Sequence, residues 1–263
     1  MIILSLLGTS CSISGLDLQE DYPYKATTLN PKIHKTARQY LEERGKNPVR
    51  PNDTIFKWMQ LGLEYAEIDL AEYEKPGRTF VFLSNNAIRV RNATSGAITA
   101  GMWFTFPKMV KNPDGSQKMN TNGTPATANA TKWSDYPKAD VRNYFLYLIA
   151  LGDFGFHNAK IANTTLPTLL PANQVASNIT RLGYYVAGTT PNYTPAGARI
   201  LTSTDFTVNG NGFDPEGKIN FNISNSDYAP LMVNDLTTFA TSGIEATNGQ
   251  IHVSSTVVYP WRY

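Results

Sequence analysis

Three histidines, His34, His157 and His252, are the side chains of this sequence best suited to acid/base or metal chemistry near neutral pH. Either task needs convergence, with a second His, Cys, Asp or Glu at a spacing such as i+2 or i+4 on a common face. None of the three is read as having such a partner, and His252, inside a β-branched run, reads as packed and hydrogen-bonded. A serine nucleophile on a sharp strand-to-helix turn calls for Gly-x-Ser-x-Gly, which is absent, as are phosphate-cradling glycine-rich loops. The run Asn209-Gly210-Asn211-Gly212-Phe213-Asp214-Pro215-Glu216-Gly217 offers oxygens at alternate positions. It lacks the spacing and terminal Glu of a calcium loop, and turn chemistry accounts for it. No carboxylate pair stands out for glycosidic cleavage, which needs only closeness in space. Trp103, Trp133 and Tyr136 are the candidates for a sugar-stacking platform, with core packing the alternative. No catalytic, cofactor or metal residue is assigned, and the expectation is a protein that is not an enzyme.

The charge balance narrows the partners. The 23 basic and 21 acidic residues leave a net charge of +2 with no block of like charges. Nucleic acid is therefore not an expected partner, because a phosphate-binding surface needs clustered Lys and Arg. The sole cysteine, Cys11, excludes an internal disulfide. It closes an apolar run, Met1-Ile2-Ile3-Leu4-Ser5-Leu6-Leu7-Gly8-Thr9-Ser10-Cys11, which resembles the lipobox of a bacterial lipoprotein signal. The resemblance implies cleavage before Cys11 and its acylation. The basic residues such a signal carries are missing, so the true start is expected upstream; a buried N-terminal strand is the alternative. No other stretch approaches the ~18 to 20 apolar residues of a spanning helix. The expectation is a lipid-anchored protein.

The polar segment 12–29 reads as a tether, and its Asp17, Glu20 and Asp21 resemble the surface-export signal of Bacteroidetes lipoproteins; an ordinary solvated linker is the alternative. Asn30-Pro31 is expected to open a helix with Gly45 as its C-cap, and a second helix is expected from Asn52-Asp53 with Ile55, Phe56, Met59, Leu63 and Ala66 on one side. Asp53-Thr54-Ile55 also resembles a Bacteroidetes O-glycosylation sequon, though Asp53 serves equally as a cap. Arg78–Leu83 is a β-branched and aromatic strand, and Ser84 is expected to cap a short helix after it. Residues 102–106 read as a strand, Asn112-Pro113-Asp114-Gly115 as a turn, and 121–131 as low in complexity. An apolar helix is expected over 140–151, capped by Asp140 and ended by Gly152. Beyond Phe154 the strand-length runs are 165–170, 183–187, 199–202, 218–223 and 244–246. The tight turn Asn248-Gly249 is expected to feed a buried final strand over 251–258, stopped by Pro260.

The last segment, Asn248-Gly249 followed by Ile251-His252-Val253 and apolar residues closing on Pro260, resembles the second signature motif of the fasciclin domain. Arg78-Thr79-Phe80-Val81-Phe82-Leu83-Ser84-Asn85-Asn86-Ala87-Ile88 resembles the first, with Leu83-Ser84 where that motif carries Ala-Pro. Tyr147-Leu148 stands where the family reads Tyr-His, so integrin-type recognition resting on that His is not carried over, and Leu148 is expected to fill core. The resemblance spans about 52–260 and implies an α+β, fasciclin-like fold, a small β-sandwich or wedge with packed N-terminal and central helices. The implied layout is a signal segment 1–11, a tether 12–29, and a single domain 30–263 with an N-terminal helical extension and an insertion at about 97–136. The implied function is a non-enzymatic adhesion or interaction lipoprotein at the outer face of an outer membrane, bound to a protein partner. The alternatives are an accessory lipoprotein subunit of an outer-membrane complex such as a SusC/SusD-type nutrient importer, and a surface glycan-binding protein.

Overall fold

The strand Arg78–Leu83 is buried at every position, on both faces, which a strand achieves only at the centre of a covered sheet. The structure, a computed structural model, describes residues 31–123, 126–160, 162–172, 216–223 and 231–260. The described residues belong to one compact unit. Cys11, the tether, Asn30, the runs 183–187 and 199–202, and all but the last two residues of the 209–217 loop lie outside them.

In chain order the elements are α1 (Ala37–Glu43), α2 (Lys57–Tyr65), β1 (Arg78–Leu83), α3 (Asn85–Ile88), β2 (Val90–Arg91), β3 (Ile98–Ala100), α4 (Met102–Thr105), β4 (Lys108–Met109) and β5 (Thr127–Ala128). They continue with α5 (Lys138–Tyr147), β6 (Ile149–Ala150), β7 (Thr164–Pro167), β8 (Lys218–Ile223), β9 (Leu231–Val233), β10 (Thr237–Thr238), β11 (Thr241–Ala246) and β12 (Gly249–Ser254). One four-stranded sheet has the order β11-β12-β1-β6, with β1 and β12 parallel from Arg78 opposite Gly249 to Leu83 opposite Ser254. A second, antiparallel sheet has the order β10-β9-β8-β7, and β2-β3 and β4-β5 are two-stranded ribbons. The protein is thus of mixed α+β class.

The alternation of side chains along β1 sorts the core into two layers. Phe80 and Phe82 face the N-terminal helices, where Phe82 meets Phe56 edge-on at 5.1 Å and Phe80 stacks on Tyr73 at 5.3 Å. Val81 is in register with His252 on the other face. There the second sheet packs on the first, with the Phe221 ring of β8 at 6.0 Å from His252.

Several expected boundaries move, each for a tertiary reason. The first helix starts at Ala37, where Thr36 and Gln39 form a capping box. Pro31 and Ile33 instead exchange backbone hydrogen bonds with Glu245 and so cover the outer edge of β11. Helix α2 starts at Lys57 because Asp53 is committed to Arg44, with Nε at 2.9 Å from Oδ2. Its cap comes from Asn85, whose Oδ1 accepts from Trp58 N at 3.1 Å. The expected apolar face is present, with Phe56, Met59, Leu63 and Ala66 fully buried. Gly45 follows Arg44 at the C-cap and has no left-handed backbone, so it does not close α1 as expected. Ser84 holds the N-cap position of α3, but its buried hydroxyl makes no cap hydrogen bond.

Residues 102–106 form the turn of helix α4 and not a strand. Gly101, at φ +89°, reverses the chain after β3 and its carbonyl accepts from Phe104 and Thr105. Helix α5 runs Lys138–Tyr147 with Pro137 at its N-cap, and Asp140 lies buried in its first turn. The helix stops before Leu148, whose side chain is core as expected, because Ile149 and Ala150 are drawn in as a strand beside β1. The final strand ends at Ser254, where the Ser254 hydroxyl bonds Thr256 and turns the chain well before Pro260. Val257 and Val258 remain buried past the turn.

Gly62 of α2 packs directly against the Phe145 ring of α5. A methyl group there would lie 2.5 Å from the Phe145 ring and 2.7 Å from Trp133. Alanine gains about 1 kcal/mol of helix propensity over glycine, but overpacking costs about 1–3 kcal/mol. Gly62→Ala is therefore expected to lower the urea midpoint, and an unchanged or raised midpoint would show that the two helices separate freely.

Candidate functional site

The three aromatic candidates turn out to be scaffold. Trp103 is fully buried on α4, Trp133 is 4% exposed and Tyr136 5%. Trp103 sits edge-on between Trp58 at 5.0 Å and Trp133 at 5.7 Å. Trp133 Nε1 donates to the Trp58 carbonyl at 2.8 Å, and the Tyr136 hydroxyl donates to the Phe106 carbonyl at 2.5 Å. Burial pushes the Tyr136 phenol well up, so it stays protonated. No ring face is open to a sugar, and the exposed stacking row expected of these residues is replaced by a cluster joining α2, α4 and α5. The sequence signal was the same for both readings, since aromatic residues near polar loops suit a core edge as well as a surface.

The 97–136 segment, expected as an insertion, is not a separate surface loop along its whole length. Its two ends, through Met102, Trp103, Trp133 and Tyr136, are part of the core. Between them the longest largely exposed run is 111–123. There the expected turn is present, with Gly115 N donating to Asn112 O at 2.9 Å and Asp114 Oδ1 accepting from Ser116. Met119 is 51% exposed on the same stretch.

The histidines do not converge. His252 is fully buried, and the hydrogen bonds of its two nitrogens define its tautomer. Gly243 N can only donate, so Nδ1 accepts from it at 3.0 Å. The Phe154 carbonyl can only accept, so Nε2 carries the proton at 2.8 Å. Burial pulls the pKa of this ring down to about 4 against the one carbonyl that favours its charged form. A packed, neutral role is what these contacts describe. His157 corrects the expected lack of partners, because Asp153 precedes it by four residues and their side chains lie 3.4 Å apart on the surface. No third ligand joins them, and among the described residues no group of three or more His, Cys, Asp or Glu gathers in a metal-binding arrangement.

Two clefts on the described surface are lined by charged or polar side chains. The larger, about 480 Å³, lies between α5 and the 3-10 helix Leu70–Tyr73. Its charged groups serve the fold. Arg142 donates to the Ala66 and Glu67 carbonyls, Asp69 caps the 3-10 helix through Ala71 N, and Glu72 binds Lys75 and Arg78. The Lys75 hydrogen bond, with Arg78 and against burial, holds the Glu72 carboxyl below the usual range. The second cleft, about 340 Å³, is lined from α3, β3, β10 and the chain after β12. No sequence feature singled out its residues, because they come from four separate stretches.

The chain matches no protein-family model and no curated protein. No helix among the described residues is long and apolar enough to cross a membrane.

Proposed function

We propose that this chain is a non-enzymatic interaction protein of the cell surface. In this reading a fasciclin-like domain is held at an outer membrane by a lipid on Cys11 and the 12–29 tether, and it binds a protein partner there. The observation that carries the reading is the pairing of the two motif segments. Arg78–Leu83 and Gly249–Ser254, from opposite ends of the domain, are parallel neighbours at the centre of one sheet. A resemblance restricted to chance similarity of strand composition does not require the two segments to meet. The frame is rigid, because β1 and β12 are buried along nearly their whole length. Contacts are then supplied by exposed loops, foremost 111–123 with Met119.

The test is a mild-detergent extraction of the native envelope, with the tagged chain recovered and its companions identified by mass spectrometry. The expected result is a stoichiometric outer-membrane protein. In the same cells Cys11→Ala is expected to move the protein from the membrane to the soluble fraction. A Cys11→Ala protein that stays with the membrane without any partner would remove the lipid anchor, and recovery of the wild type alone would remove the partner.

A further inference from the structure

Five side chains at the second cleft, Asn86, Thr105, Thr238, Ser255 and Thr256, make no hydrogen bond to other described residues. Hydroxyls and amides both donate and accept, so such a set satisfies a ligand whose own groups do both. No charged side chain lines the cleft. A charged ligand would lose water there and gain no counter-charge, which is costly. Val90, Ala100, Leu236 and Val257 supply apolar wall beside them, together with Thr237 and Tyr259. At about 340 Å³ the space is at the small end of ligand clefts and holds roughly one or two sugar rings.

Asn86, Thr238 and Thr256 are exposed and Ser255 half-buried, but the backbone that carries them is fixed. At Gly101 a Cβ would lie 2.8 Å from the backbone of Ile88 and Arg89, so the start of α4 packs directly on the end of α3, and both helices contribute to the cleft, through Asn86 and Thr105. Across the cleft the Thr237 hydroxyl donates to the Val257 carbonyl at 3.1 Å, which ties β10 to the chain after β12. Thr105 itself is 9% exposed, so its hydroxyl sits within the wall and not on a free surface. A fixed backbone frame that presents polar side chains in a partly apolar cleft is what gives a small-molecule site orientation and selectivity.

We propose that this cleft binds a neutral carbohydrate, taking one or two rings of a glycan chain by hydrogen bonds to Asn86, Thr105 and the Thr238, Ser255 and Thr256 edge. The site is separate from the buried tryptophan cluster and independent of how the protein is anchored.

The test is a titration of the isotope-labelled full chain with four neutral disaccharides, maltose, cellobiose, mannobiose and lactose, followed by amide chemical shifts. At least one is expected to give saturable shifts centred on residues 86, 105, 238, 255 and 256, with little dependence on salt. Thr105→Val keeps the shape but removes the hydroxyl, and is expected to weaken that binding about tenfold or more while leaving the urea midpoint nearly unchanged. Thr256→Val, at an exposed position, is expected to weaken it also, and serves if Thr105→Val does not fold. The proposal is overturned if none of the four sugars gives saturable shifts at about 50 mM, far above a millimolar dissociation constant. It is equally overturned by shifts that centre elsewhere, or by affinity unchanged in both variants.

Discussion

Asn248→Ala is expected to lower the unfolding free energy by about 3–5 kcal/mol in a urea titration, a loss outside the ordinary range for one polar side chain. Asn248 is 8% exposed and satisfies three backbone groups from two distant segments. Its Oδ1 accepts from Ala37 N at 2.9 Å, the first amide of α1. Its Nδ2 donates to the Tyr73 carbonyl at 2.9 Å and to the Lys75 carbonyl at 3.2 Å. Alanine removes all three partners and leaves the Ala37 amide and Tyr73 carbonyl buried and the Lys75 carbonyl part-buried, and each buried unsatisfied group costs about 1–3 kcal/mol. The side chain also joins the N-terminal helix, the 3-10 segment and the β11-β12 turn, so the loss is expected to be cooperative. A change below about 1 kcal/mol would mean that water replaces the amide at all three points.

The second large effect is a loss of stability in mild acid that rests on His252. Its pKa in the folded protein is about 4, below the ordinary 6.5. Between those values the unfolded chain binds a proton that the folded chain refuses. Stability therefore falls as the pH drops from 6.5 towards 4 and levels off below, where both states are protonated. At about 1.4 kcal/mol per pH unit the loss across the window is about 3 kcal/mol. Among the described residues, the hydrogen-bond and ring contacts of the imidazole are uncharged, namely the Gly243 amide, the Phe154 carbonyl, and the Phe154, Phe221 and Phe239 rings. No carboxylate among these contacts stands ready to hold the imidazolium. His252→Gln keeps a donor and an acceptor but does not titrate. It is expected to be less stable at pH 7 and to show a flatter profile between pH 6.5 and 4. Parallel profiles for the two proteins would assign the acid sensitivity to other groups.

Both effects lie in the segment that resembles the second fasciclin motif, yet neither arises from the turn chemistry first read there. The turn residues proper are Thr247 and Asn248, since Ala246 pairs with Gly249 across the hairpin. Gly249 is needed for a different reason, because a Cβ would lie 2.0 Å from the Arg78 carbonyl oxygen of the neighbouring parallel strand.

What the amino-acid sequence determined by itself is what depends on a few neighbouring residues. The β-branched and aromatic runs at Arg78–Leu83 and Lys218–Ile223 are strands over those same residues. The helical spacing of Phe56, Met59, Leu63 and Ala66 gives the buried face of α2, and the turn at Asn112-Pro113-Asp114-Gly115 follows from its dipeptides. His252 and Leu148 were also legible as core, because each is flanked directly by large apolar side chains, Ile251 and Val253 in one case and Tyr147 and Ile149 in the other. The tertiary structure alone decided whatever depends on groups far apart in the chain. Asn248 reaches Ala37 across 211 positions, Asn85 caps a helix 27 residues before it, and Trp103 is a helical core residue because Trp58 and Trp133 close around it. The second cleft is of the same kind, assembled from four stretches whose residues are individually unremarked Thr, Ser and Asn. Local preference, amounting to tenths of a kcal/mol per residue, yields at such points to burial and hydrogen bonding worth about 1–3 kcal/mol each.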